Sequence, residues 1–143
     1  LANLYGPGDD TDPERAHVVA ALIMRTLAQP DELVVWGTGK ATREHLYVQD
    51  AAQGLLALAD HAQGGPLNIG TGLEVSVADL TGAITQACDY SGAVRFDTDK
   101  PDGQPRKVLD TTRAEAELGW KAPTSLEDGL AKTVAWYRKV LSC

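Results

Sequence analysis

Two short β-type runs, each closed by the same turn, constrain this chain more than any other feature. Leu33-Val34-Val35-Trp36 runs into Gly37-Thr38-Gly39, and Pro66-Leu67-Asn68-Ile69 runs into Gly70-Thr71-Gly72. A strand leading into a glycine turn lets an α/β chain bring its backbone close to a phosphate, but a dinucleotide fingerprint needs a third glycine at the start of a helix. That third position is Thr42 after the first turn and Val75 after the second, so neither turn completes it. No tyrosine is followed four residues later by lysine: Tyr5, Tyr47, Tyr90 and Tyr137 precede Asp9, Ala51, Val94 and Leu141 at that spacing. A P-loop and a Gly-x-Ser-x-Gly nucleophile elbow are also missing. The sequence therefore predicts an α/β chain without a self-sufficient catalytic apparatus.

Around these turns the pattern alternates. Leu1 to Tyr5 reads as the end of a strand, broken by Gly6-Pro7-Gly8-Asp9. Pro13 suits the first turn of a helix carrying His17, Val18, Leu22, Met24 and Arg25, which must stop before Pro30. Arg43 to Val48 reads as one strand, with Asp50 capping a helix whose Ala51, Leu55, Leu58 and Ala59 share a face. Pro66 to Ile69 reads as a short strand. Ser76 is a good N-cap for a helix with Val77, Leu80, Ile84 and Cys88 inward, and Val94-Arg95-Phe96 is a further strand. Thr111 or Thr112 opens a helix stopped by Gly119. Ser125 opens the last one, with an apolar stripe of Leu126, Leu130, Val134, Tyr137 and Leu141. Several helices and only short, scattered strands are too little for a complete doubly wound sheet.

Composition narrows the function classes. At 143 residues and 43% hydrophobic, the chain suits one globular domain with a real core. Its formal net charge of −7 disfavours nucleic acid and anionic membranes, so a phosphate ligand needs a local basic pocket. Two cysteines, Cys88 and Cys143, without metal-ligand spacing, argue against a disulfide framework or zinc site and fit a reducing cytoplasm. No apolar run approaches the roughly 20 residues that span a bilayer. The opening Leu1-Ala2-Asn3-Leu4-Tyr5, without Met, is expected to mark a truncated chain.

Asn3-Leu4-Tyr5-Gly6-Pro7-Gly8-Asp9, Trp36-Gly37-Thr38-Gly39, Arg43-Glu44-His45-Leu46-Tyr47-Val48-Gln49-Asp50-Ala51-Ala52 and Asn68-Ile69-Gly70-Thr71-Gly72 together resemble the extended short-chain dehydrogenase/reductase family. Each piece alone is weak; their order and spacing are not. Lys100-Pro101-Asp102-Gly103-Gln104-Pro105-Arg106-Lys107-Val108-Leu109-Asp110, with His17-Val18 and the run to Arg25, looks like that family's GDP-L-fucose-forming branch. Leu118-Gly119-Trp120 before the last helix is shared more widely among nucleotide-sugar epimerases. The resemblance implies a substrate-binding C-terminal lobe of mixed helices and short strands over residues 1–143, with 1–10 a remnant of an absent N-terminal Rossmann lobe that would carry NADP and the Ser-Tyr-Lys set. The implied reaction epimerises a GDP-bound keto-sugar beside its ketone and reduces it with NADPH.

Roles implied by the resemblance can be assigned residue by residue. Arg43 would meet the substrate pyrophosphate, since a guanidinium offers bidentate, permanently charged donors. Arg25 matches a basic substrate-binding position on the helix of His17, and Trp36 a substrate-contacting one that could pack on a sugar or base. Asp102, Arg106 and Lys107 would contribute a carboxylate for guanine or ribose and cations for phosphate. His17 would be the one catalytic contributor here and would also touch the cofactor, alongside Leu1, Ala2, Asn3 and Leu4 on the nicotinamide side; this fragment of a site is not expected to retain NADP alone. His45 stands where the family more often has an apolar aromatic, and Ala2 replaces a more usual Thr. The expected partners are a GDP-sugar, the absent lobe and, through an exposed apolar face, a second copy of the chain. A UDP- or dTDP-sugar epimerase or dehydratase, or a non-catalytic binding module, are the competing expectations.

Overall fold

A computed structural model describes residues 1–12, 15–61 and 64–142. Pro13 and Cys143 lie outside the described residues.

Three helices and a two-stranded ribbon build the main core. Helix α1 (Val18–Leu27) buries Val19, Ala20, Leu22, Ile23, Met24 and Thr26, with Thr26 bonding back to the Leu22 carbonyl. Strand β2 (Glu32–Trp36) pairs in parallel with β6 (Ala93–Asp97), and its inward Leu33 and Val35 continue the apolar surface. Helices α3 (Val77–Ala87) and α5 (Leu126–Leu141) close it with Leu80, Ile84, Leu130, Val134 and Tyr137, none more than 1% exposed. Both helices start as the sequence predicts. Ser76 and Ser125 each accept the backbone N–H three residues on, from Asp79 and Asp128, and each first turn carries acids that favour the positive helix end. The expected stripe on α5 holds except at its end, where Leu141 is half exposed.

The other half of the fold is assembled from shorter pieces. Strand β1 (Asn3–Tyr5) pairs in parallel with β4 (His45–Tyr47), in the register Asn3↔His45 to Tyr5↔Tyr47. Strand β3 (Thr42–Arg43) lies between β5 (Val75–Ser76) and β7 (Arg106–Lys107), antiparallel to the first and parallel to the second. The expected single strand from Arg43 to Val48 is thus two strands in two sheets. The chain changes sheet at Glu44, whose side chain is pulled inward. Helix α2 (Val48–Ala59) begins earlier than expected: Tyr47 is its cap, and Asp50 sits inside the first turn, where its buried carboxylate accepts from the Thr124 amide and hydroxyl at 2.9 and 2.8 Å. That helix buries Asp50, Ala51 and Gly54, whereas Leu55 and Leu56 face outward, so its apolar face is not the expected one. Residues 66–69 run as irregular chain rather than a strand, tied to the rest by the Ala2 amide on the Ile69 carbonyl. Leu46, Ala51, Ile69 and Ala114 form a second small core, with Trp120 against it. Helix α4 (Thr112–Leu118) ends at Gly119, whose φ of 60° is the left-handed conformation glycine adopts without strain.

Candidate functional site

A cleft of about 660 Å³ opens where β1 and the Gly6-Pro7-Gly8 loop meet the start of α1. Ala2, Asn3 and Leu4 form one wall, His17 and Val18 another, and Arg43 with His45 the floor. Asn3 is fixed by its amide donating to the Glu44 carbonyl at 3.1 Å. His17 is not within the helix, as expected from sequence, but caps it in extended backbone, which turns its ring toward the cleft. Arg43 is half buried, with one guanidinium nitrogen on the Thr42 carbonyl at 2.7 Å.

The remaining residues singled out from sequence lie on the neighbouring surface. Lys107 is the register partner of Arg43 in the β3–β7 pair, so the two side chains leave the same face. The loop from Lys100 to Pro105 passes over Arg43; a Cβ at Gly103 would lie 3.7 Å from the guanidinium. Arg106 is held by Glu74 at 2.9 Å, and Glu74 also accepts from Thr42 at 2.6 Å. Trp36 is not a core residue: it is 66% exposed, with the Lys100 ammonium 5.6 Å from its ring centroid. Arg25 is exposed on the last turn of α1 and donates to the Val34 carbonyl, outside the cleft lining.

Both Gly-Thr-Gly turns hold a carboxylate from the chain itself. The first takes Asp102, which accepts from the Thr38 amide at 2.6 Å and hydroxyl at 2.7 Å. These bonds, the hydroxyl first, hold the Asp102 carboxyl below the usual carboxylate range. Gly37 is required there because a Cβ would fall 2.3 Å from the Asp102 oxygen, and its φ of 84° is left-handed. The second turn takes Glu44, which accepts from the amides of Gly72 at 2.9 Å and Thr71 at 2.5 Å. Its other oxygen accepts from the Leu109 amide at 2.8 Å. With their donors engaged in this way, neither turn offers a cradle for a dinucleotide pyrophosphate.

Sequence reasoning passed over two residues of the site. Glu44, 1% exposed, was read only as part of a motif; an acid next to the Arg43 position in a β-type run was the available signal. His45 is 6% exposed and its Nδ1 finds no partner among the described residues. Burial first, then the adjacent Arg43 charge, push its imidazole down to about 4, against an opposing pull from Glu44. His45 therefore sits in the cleft floor as a neutral ring, edge-on to Tyr5. Among the described residues, no group of three or more His, Cys, Asp or Glu could hold a metal ion, and no helix is long and apolar enough to cross a membrane.

Comparison with known proteins agrees with this layout. Residues 1–70 match the model of the NAD dependent epimerase/dehydratase family. The GDP-L-fucose synthase 1 of Arabidopsis thaliana is 42% identical over 142 residues, covering 96% of this chain and 44% of that protein. A GDP-L-fucose synthetase from Naegleria fowleri, solved with NADP bound, superposes with a TM-score of 0.90 at 30% identity, covering 98% of this chain and 46% of that one. A UDP-glucose 4-epimerase from Thermotoga maritima, solved with UDP-glucose, superposes at 0.87 with 33% identity, covering 98% and 45%. The chain thus spans less than half the length of the relatives it matches. A fold shared by enzymes of different nucleotide-sugars, together with these matches, makes this chain similar to a carboxy-terminal part of proteins of the NAD dependent epimerase/dehydratase family, the extended short-chain dehydrogenases/reductases.

Proposed function

We propose that this chain is the GDP-sugar-binding part of an NADP-dependent GDP-4-keto-6-deoxymannose 3,5-epimerase-4-reductase, a GDP-L-fucose synthase. One observation carries the reading: Arg43, at the floor of the cleft, has Lys107 as its register partner on the same sheet face. Two cations side by side in a protein of net charge −7 suit a diphosphate, and the guanidinium can present two parallel N–H donors to it. Identity of 42% to a GDP-L-fucose synthase favours GDP over UDP or dTDP.

In this reading Asp102, Arg106, Trp36 and Arg25 contribute the outer contacts to nucleotide and sugar. His17 faces the sugar from the α1 cap and can donate or accept a proton beside its carbonyl. The wall of Leu1, Ala2, Asn3 and Leu4 meets the nicotinamide side of NADP, whose part is to supply the hydride. The chain's own contribution is orientation and charge complementarity, which count because they are in place before the reaction begins.

The test is calorimetric titration of the chain with GDP, UDP and dTDP. GDP is expected to bind most tightly and less tightly as salt is raised, because a screened cationic pair loses attraction. Arg43→Ala is expected to weaken GDP binding by roughly 10- to 100-fold, the span of a lost charge-assisted contact of about 1.5–3 kcal/mol. Equal affinity in the variant removes Arg43 from the site, and preference for UDP or dTDP overturns the choice of substrate.

A further inference from the structure

The strand that carries Lys107 has little to hold it. Strand β7 is two residues long and exposed, and it meets β3 over the pairs Thr42↔Arg106 and Arg43↔Lys107. Its visible side-chain anchor, Arg106 on Glu74, is an ion pair more than a third exposed on both partners, the kind that contributes little in water. The firm attachment comes two residues later. There the Leu109 amide donates to Glu44, a carboxylate that is 1% exposed and whose other oxygen is already fixed by Thr71 and Gly72.

Glu44 follows Arg43 directly. In extended chain, neighbours point to opposite faces, so while the guanidinium looks into the cleft the carboxylate looks into the protein. The interior is shaped for it. A Cβ on Gly70 would lie 2.1 Å from the Glu44 oxygen, so the turn approaches as closely as it does because residue 70 has no side chain. The backbone N–H donors on both of its oxygens satisfy the buried carboxylate, and leaving them unpaired would cost stability. A buried bond of this type tolerates less slip than a two-residue ladder facing water.

We propose that Glu44 is the positioning residue of the cationic pair: its carboxylate clasps the Gly70–Gly72 turn to the Leu109 amide and thereby fixes Lys107 beside Arg43 for one diphosphate. This rests on the reading above for its ligand, but the clasp itself does not. Glu44 touches no substrate. It sets the spacing of the two residues that do, and it ties that spacing to the glycine turn on the far side of β3.

The substitution Glu44→Gln keeps the shape and exchanges one oxygen for an amide. The remaining oxygen satisfies the paired Thr71 and Gly72 donors, so the NH₂ faces the Leu109 amide and that bond is lost. Titration with GDP, well below the melting temperature of each protein, is expected to show at least a tenfold loss in Glu44→Gln. Thr124→Ala, which breaks a bond to the buried Asp50 away from this sheet, destabilises without changing GDP affinity by more than about twofold. Affinity in Glu44→Gln equal to that of the unaltered chain overturns the proposal, and so does an equal loss in Thr124→Ala, which would make it a matter of general stability. A second measurement needs no variant. Hydrogen exchange of the unaltered chain without ligand is expected to protect Leu109 as strongly as Thr71 and Gly72. Fast exchange at Leu109 beside protected Thr71 and Gly72 refutes the clasp. Absence of GDP binding by the unaltered chain, with Leu109 protected, refutes the substrate reading and leaves the clasp standing.

Discussion

His45 is a base that folding keeps from its proton. Its folded-state value of about 4 lies below the ordinary 6.5, so between those pH values the unfolded chain takes up a proton that the folded chain refuses. Stability is therefore complete above about pH 6.5 and falls as pH drops toward 4, by up to roughly 3 kcal/mol at the lower end. His45→Phe removes the titrating group while keeping a ring against Tyr5. Its melting temperature is expected to fall less steeply over that window than that of the unaltered chain; parallel curves in the two proteins would show that His45 is not the source. Glu44 and Asp102 stand in contrast to one another. Each glycine turn engages a carboxylate, and the difference between them is burial: Glu44 is enclosed and Asp102 faces water.

Among the elements, the starts of α3 and α5 were the most legible. Ser76 and Ser125 cap as their side chains allow, because a cap is decided within four residues. Ser125→Ala is expected to lower stability by about 1 kcal/mol in denaturant titration while leaving GDP affinity unchanged, since no residue of α5 is among those that line the cleft. A change below about 0.3 kcal/mol would mean that packing alone sets the start of α5. Strands were less legible. The run from Arg43 to Val48 is continuous in its β-type residues, yet it divides at Glu44 because Thr42 and Arg43 find partners in Ser76, Val75, Arg106 and Lys107, while His45 to Tyr47 find theirs in β1. Two-residue strands such as β5 and β7 have no period to read. The face of α2 was misjudged for a related reason: Asp50 turns inward to a partner 74 residues away, and Leu55 is left outside.

At the scale of the whole molecule, the proposed function separates binding from chemistry. The chain has the cleft, Arg43 and His17, but no Tyr-x-x-x-Lys pair in its sequence to deliver a proton to a reduced ketone. A purified chain of these 143 residues is expected to show no oxidation of NADPH in the presence of the GDP-keto-sugar, followed by absorbance of the reduced nicotinamide. Measurable turnover would show that groups within this chain suffice. The relatives are more than twice as long, which is where the remaining machinery would reside if the proposed function holds.

The sequence by itself determined the α/β class, the positions of the glycine turns, the caps of α3 and α5 and the αL stop at Gly119, because each depends on a few adjacent residues and their intrinsic backbone preferences. It also carried the family's motifs in order, and with them Arg43, His17 and Asn3 as cleft residues. Tertiary structure alone decided what the turns hold, which of two sheets a β-type residue joins, and that Trp36 faces water while Glu44 and His45 do not. Those outcomes turn on partners 27 to 65 residues away, and the energy of a buried hydrogen bond resides in a pair that a linear pattern does not display.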